Sequence, residues 1–185
     1  MSEAKFYFEW LGVEKNQFRI LSLLAPKGIY KGTLSDMCRQ LDIAVQTNNR
    51  EKLKSDISEL SKNGYITSSL CGRTYKLKAI SKETVIQIPN KWLNRITSHD
   101  YSSENVSWQA VLKVLLWCFN NNKSPIVTRN DMATDLNIGV DTVTSALNVL
   151  EKDFGAIKRK IVTRKTQNGE YRCDGLEITT CAWWN

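Results

Sequence analysis

Between residues 124 and 179 the apolar positions recur first with a helical period and then with a strand period. A short strand near Ser124 is expected to lead into a helix with Met132, Ala133 and Leu136 on one apolar face. Asn137 follows, and Asn tolerates the left-handed backbone that ends a helix. Ile138 and Val140 plug the angle to a second helix, where Val143, Leu147 and Leu150 recur at spacings of four and three. The opposite face of that helix holds Asp141, Thr142, Ser145, Asn148 and Lys152. Two strands come next, Ala156–Thr163 and Tyr171–Thr179, with Leu176 and Ile178 on one side. Asn168-Gly169 between them is a strong hairpin signal, because both residues accept positive φ. Lys158, Arg159, Lys160, Arg164, Lys165 and Arg172 crowd this hairpin.

The same order is expected once upstream. Phe6, Phe8 and Trp10 alternate, as in a short strand or an arm packed on a core. Phe18, Leu21 and Leu24 mark a helix over residues 14–25, ended by Pro26 and Gly28. Ile29-Tyr30 is a candidate strand. Thr33 or Ser35 caps a helix with Leu34, Met37 and Leu41 inside. Asp42-Ile43-Ala44-Val45 falls in the register of Asn137-Ile138-Gly139-Val140. A longer helix then spans about Gln46 to Lys62, burying Leu53, Ile57 and Leu60. Its outer face carries Asn48, Glu51, Lys52, Ser55 and Glu59, with Arg50 at the flank. A hairpin turns at Cys71-Gly72-Arg73.

These patterns predict an α+β, mainly helical chain with two domains, residues 1–82 and 106–185, joined by a connection over residues 83–105. Within the connection Val85, Ile86 and Ile88 read as a strand ending at Pro89, and Trp92 reads as a packing residue. Residues 106–120 form a broadly apolar helix, the spine of the second core, closed by residues 120–123. Trp183 and Trp184 are expected to fold back on the second domain; the lesser reading makes them the anchor of a homodimer.

The order helix, helix, turn, helix, hairpin resembles a winged helix-turn-helix, here in two tandem copies. The lead-in Ile86-Gln87-Ile88-Pro89-Asn90-Lys91-Trp92-Leu93, the helix rich in Leu and Trp, and the helix pair through Glu151 resemble winged-helix domains of phage and plasmid replication initiators. That resemblance implies duplex DNA as partner, with Asn48, Lys52 and Ser55 in the first domain and Thr142, Ser145 and Asn148 in the second reading base edges. Asp141 and Lys152 share the second reading face, and Arg50 flanks the first. The basic hairpin and Arg73 would hold phosphates. Replication initiation and transcriptional regulation are both open under this reading. The size and domain order are also similar to the small tandem winged-helix subunits of bacterial condensin complexes, which bind a segment of another protein. Asp141 and Glu51 on the reading faces favour that alternative, because carboxylates repel phosphates.

Composition narrows the classes further. The 185 residues carry a net charge of +7 and a pI near 9.2, which favours a polyanionic partner. The five cysteines, Cys38, Cys71, Cys118, Cys173 and Cys181, show no metal spacing and suggest reduced, cytoplasmic thiols. The one histidine, His99, stands apart from them. Neither a signal peptide nor a membrane span is expected. The sequence holds no Gly-rich phosphate loop, no carboxylate cluster with a base and no Cys–His pair. Neither an enzyme nor a cofactor, metal or small-molecule substrate is therefore expected.

Overall fold

The computed structural model describes residues 3–120, 126–168 and 170–181. It is an α+β chain with seven α-helices and three small sheets among those residues. The chain forms two compact units, Met1–Asn90 and Lys91–Asn185. The boundary falls inside the expected connection, which is itself built into the two units.

In the first unit β1 (Glu3–Tyr7) leads through a 3-10 turn at Phe8–Trp10 to α1 (Lys15–Leu24). Then come β2 (Ile29–Gly32), α2 (Leu34–Gln40), α3 (Thr47–Lys62), β3 (Ile66–Cys71), β4 (Thr74–Ala79) and β5 (Val85–Pro89). The sheet orders are β2-β4-β3 and β1-β5, all antiparallel. The alternation of Phe6, Phe8 and Trp10 does not extend as a strand: the chain turns at Phe8, and Phe6 and Trp10 are buried while Phe8 is half-buried. Phe6 stands edge-on to Trp10 at 6.2 Å and stacks on Phe18 at 6.3 Å, tying the first strand to α1. Val85–Pro89 is a strand, as the alternation predicts, and its partner is β1: Phe6 lies opposite Ile86 and Ala4 opposite Ile88.

The second unit runs α4 (Asn90–Thr97), α5 (Trp108–Asn120), α6 (Arg129–Leu136), α7 (Val140–Lys152), β6 (Ile157–Lys165) and β7 (Tyr171–Thr180). Every residue of α5 from Trp108 to Cys118 is buried, mostly apolar as suits a central helix, with Gln109 and Lys113 as the polar members. The helix packs against α6 and α7, where Met132, Leu136, Val143, Leu147 and Leu150 are buried. Trp92, on a helix where a connection is expected, packs edge-on to Phe154 at 6.4 Å with the Arg95 guanidinium over both rings. Val127 forms a single bridge with Leu176. The expectations for residues 121–125, for Gly169 in the hairpin turn and for Trp183 and Trp184 lie outside the described residues.

Candidate nucleic-acid interface

The two helix pairs are stopped and joined by the same chemistry. Thr33 and Asp36 make a reciprocal capping box at the start of α2, and Thr128 and Asp131 make one at the start of α6. Asp42 and Asn137 each end their helix at φ 51°. The next amide then reaches back five residues: Ile43 N–H donates to Cys38 O at 2.8 Å, and Ile138 N–H donates to Ala133 O at 3.1 Å. The recurring sequence Thr-x-x-Asp-Met, at Thr33 and at Thr128, is the signal that fixes both helix starts.

The outer face of α7 exposes Asp141 and Lys152 and half-exposes Thr142, Ser145 and Asn148. Asn148 is engaged at both ends of its amide. Its Nδ2 donates to Glu104 Oε1 at 2.7 Å, and its Oδ1 accepts from Arg159 Nη2 at 2.7 Å. Arg159 in turn donates through Nε and Nη2 to Glu151 Oε2 at 2.9 and 2.5 Å, and its backbone N–H donates to Oε1 at 3.0 Å. The Arg159 side chain, hydrogen bonding first, holds the Glu151 carboxyl below its usual range. Arg159 is expected to hold phosphate; its side chain is committed here to a carboxylate and an amide of its own unit.

The hairpin sorts its remaining charges by side. Successive strand residues face opposite sides, and directly paired residues share one. Lys158 pairs with Thr179, Lys160 with Glu177, and Arg164 with Arg172. Lys158, Lys160, Arg164 and Arg172 therefore share one face of the ribbon, while Arg159 and Lys165 lie on the other. The first four are exposed. Lys160 approaches Glu177 at 4.0 Å and Arg172 approaches Glu170 at 3.8 Å, both in the open. Between Val162 and Thr163 the register slips, leaving Asp174 as the extra residue of a bulge. On the α7 side a groove of about 610 Å³ is lined by Arg129, Val140, Thr144, Asn148, Arg159 and Ile161. Ile161 and Tyr171 are 65% and 72% exposed, too much for core residues.

In the first unit Asn48, Lys52 and Ser55 are exposed on α3, as expected of its outer face. Glu51 reaches Lys54 at 4.0 Å, and Glu59 accepts from Gln17 Nε2 at 2.8 Å. Arg50 is half-buried and donates to Thr47 Oγ1 at 3.3 Å. Arg73 is exposed in the turn between β3 and β4. Three further basic side chains, Lys31, Lys76 and Lys78, stand exposed on this sheet and were missed by sequence reasoning. The alternation Tyr75-Lys76-Leu77-Lys78, with buried Leu77 between two lysines, carried the signal.

No family model matches the chain, and no curated protein matches it. Among the described residues no group of three His, Cys, Asp or Glu is placed to hold a metal ion, and no helix is long and apolar enough to cross a membrane.

Proposed function

We propose that the chain binds double-stranded DNA through two winged helix-turn-helix units, α1–α3 with β2–β4 in the first and α5–α7 with β6–β7 in the second. The observation that carries this reading is the placement of Arg164 directly opposite Arg172 on a ribbon face that also bears Lys158 and Lys160. Like charges directly opposite one another destabilise a sheet. A phosphate backbone relieves that repulsion and releases counterions as it does so. The helix faces supply the sequence preference: Thr142 and Ser145 on α7, and Asn48 and Ser55 on α3, offer short donors and acceptors to base edges. Joining two units in one chain raises the effective concentration of the second for an adjacent half-site. A replication initiator or transcriptional regulator of phage or plasmid type fits this arrangement.

A second reading, a protein-interaction subunit, is favoured by the Glu104–Asn148–Arg159–Glu151 chain, which ties Asn148 and Glu151 of α7 to Arg159 of β6 and to Glu104 and so withdraws Asn148 from base edges. Titration of a labelled duplex by fluorescence anisotropy, across a salt series, separates the two. Arg164→Gln with Arg172→Gln is expected to reduce the slope of log affinity against log salt by roughly 2, at about 0.9 per phosphate contact. Absence of duplex binding by the unaltered chain at low salt overturns the DNA reading. Recovery of one preferred site from a random duplex pool tests sequence preference.

A further inference from the structure

The outer side of the β2-β4-β3 sheet carries a second concentration of positive charge. Tyr30 and Leu77 are paired and buried, so they define the inner side of the sheet. Their neighbours along the strands, Ile29 and Lys31 on β2 and Lys76 and Lys78 on β4, therefore face outward. Lys31 lies directly opposite Lys76, and Lys78 follows two residues along the same strand. Across β3 the same two rows continue with Ser69 opposite Lys76 and Thr67 opposite Lys78. No carboxylate belongs to these rows, and none of the three lysines forms an ion pair among the described residues.

Ordinary explanations do not account for this face. A lysine on an edge strand blocks pairing with another chain, which covers Lys31 on β2. Lys76 and Lys78 lie on β4, the central strand, whose two edges are already paired. A solvated face needs only polar groups, as β3 provides with Thr67 and Ser69, and those carry no mutual repulsion. Three ammonium groups on adjacent strands, rooted about 4.8 Å apart across the pair and about 6.7 Å apart along β4, instead suit a ligand with closely spaced negative charges. Each strand of duplex DNA offers a phosphate about every 3.4 Å of helix axis. The Thr67 and Ser69 hydroxyls, beside the lysines, donate to phosphate oxygens. Membrane docking needs an apolar wedge as well, and the outward apolar side chain in these rows is Ile29 alone.

We propose that Lys31, Lys76 and Lys78 on the outer face of the β2-β4-β3 sheet form a phosphate-binding surface for double-stranded DNA, distinct from the exposed face of α3. The proposal rests on the DNA-binding reading above and adds a contact surface to it. The contact is independent of base sequence, because it touches only the backbone.

The test compares the unaltered chain with Lys31→Gln/Lys76→Gln/Lys78→Gln on random-sequence duplex over a salt series. The expected result is a slope of log affinity against log salt smaller by about 2 to 3, at about 0.9 for each phosphate no longer neutralised, the same for every duplex tried. The thermal midpoint should hold or rise, since a like-charge pair is removed, and Lys→Arg at all three positions should restore the slope. If the triple variant fails to fold, Lys31→Gln and Lys78→Gln singly should each reduce the slope by about 0.9. Duplex binding by the unaltered chain with an unchanged slope in these variants overturns this proposal and leaves the DNA reading standing. Failure of the unaltered chain to bind duplex removes the DNA reading itself. Loss of binding to vesicles containing phosphatidylserine, with duplex binding intact, also overturns the proposal by assigning the lysines to a lipid surface.

Discussion

Lys113 Nζ donates to the carbonyl oxygen of Leu136 at 2.9 Å, from a side chain that is 1% exposed. Leu136 is the last residue of α6, so the ammonium sits where the helix leaves carbonyls unpaired and its dipole is negative. The first unit repeats the device: Arg19 on α1 donates through Nη2 to the carbonyl of Leu41, just past α2, at 2.7 Å. In each unit a cation on the helix before the helix pair, α1 or α5, fastens the end of the pair's first member, α2 or α6, immediately before the turn into α3 or α7. Trp117 Nε1–H adds a further tie from α5 to Asp135 Oδ2 at 3.0 Å.

Replacing Lys113 by Met keeps the apolar stem and leaves the Leu136 carbonyl without this donor. The expected cost is about 1–3 kcal/mol, the range for a buried polar group deprived of its partner. Arg19→Met should cost less, because Arg19 is only half-buried and water reaches its end of the bond more readily. Urea unfolding of the full chain measures both; equal stability of Lys113→Met and the unaltered chain would contradict the capping role.

Arg159 and Lys158 are neighbours in sequence with opposite expected behaviour. The Arg159 side chain is 17% exposed and bound to Glu151 and Asn148, so Arg159→Ala should lower stability by roughly 1.5–3 kcal/mol, as for hydrogen bonds to charged groups. Its salt slope for duplex binding should be that of the unaltered chain. Lys158→Ala should do the reverse, reducing the slope by about 0.9 with an unchanged unfolding midpoint. A swap of these two outcomes would reassign the phosphate contact to Arg159.

How the two residues come to differ shows what a sequence can and cannot carry. Helical spacing locates the stripes Leu53-Ile57-Leu60 and Val143-Leu147-Leu150, and Asn137 marks the turn, because those signals are local and repeat with the period of the backbone. A run such as Lys158-Arg159-Lys160 states charge but not side. Alternation along β6 sends the middle residue toward α7, where Glu151 waits from a different element. The helix at Asn90–Thr97 is hidden for a similar reason. Its inward positions are only Leu93 and Ile96, with Trp92 beside them, too few to show a period over eight residues. The pairing of β1 with β5 links residues at opposite ends of the first unit, which no local pattern encodes. The Lys31–Lys76 pair is of the same kind, since its two halves become neighbours only through the strand register.

Gly175 is a position where a side chain cannot be accommodated without movement. A Cβ there would lie 2.6 Å from Ile126 Cγ2 and 2.8 Å from the Val127 carbonyl oxygen, at φ +156°. That carbonyl is fixed, because Val127 and Leu176 exchange both backbone hydrogen bonds, at 2.9 and 2.8 Å. Gly175→Ala should therefore push the 126–127 segment off the edge of β7 and cost about 1–3 kcal/mol, as overpacking does. Faster amide exchange at Val127 and Leu176 than at Val143 would locate the damage. Unchanged exchange at both sites would show that the segment yields freely.

Asp56 gives the first unit a distinctive response to pH. Its Oδ2 is buried on the α3 flank without a hydrogen-bond partner. Burial pushes the carboxyl above its ordinary value, Lys52 pulls it back, and Glu59 and Glu14 push it further up. The folded chain thus holds the Asp56 proton more tightly than the unfolded chain, whose carboxyl titrates near about 3.9. Below that value both states are protonated and Asp56 costs nothing. As pH rises from there through the raised folded value, the unfolded state gains the advantage and stability falls. Asp56→Asn cannot ionise, so it should raise the thermal midpoint at neutral pH and lose that lead near about pH 3, where the unaltered side chain is also neutral. Thermal unfolding of the two chains across that range measures the difference directly. A lead for Asp56→Asn that is the same at both ends would mean that Asp56 ionisation plays no part.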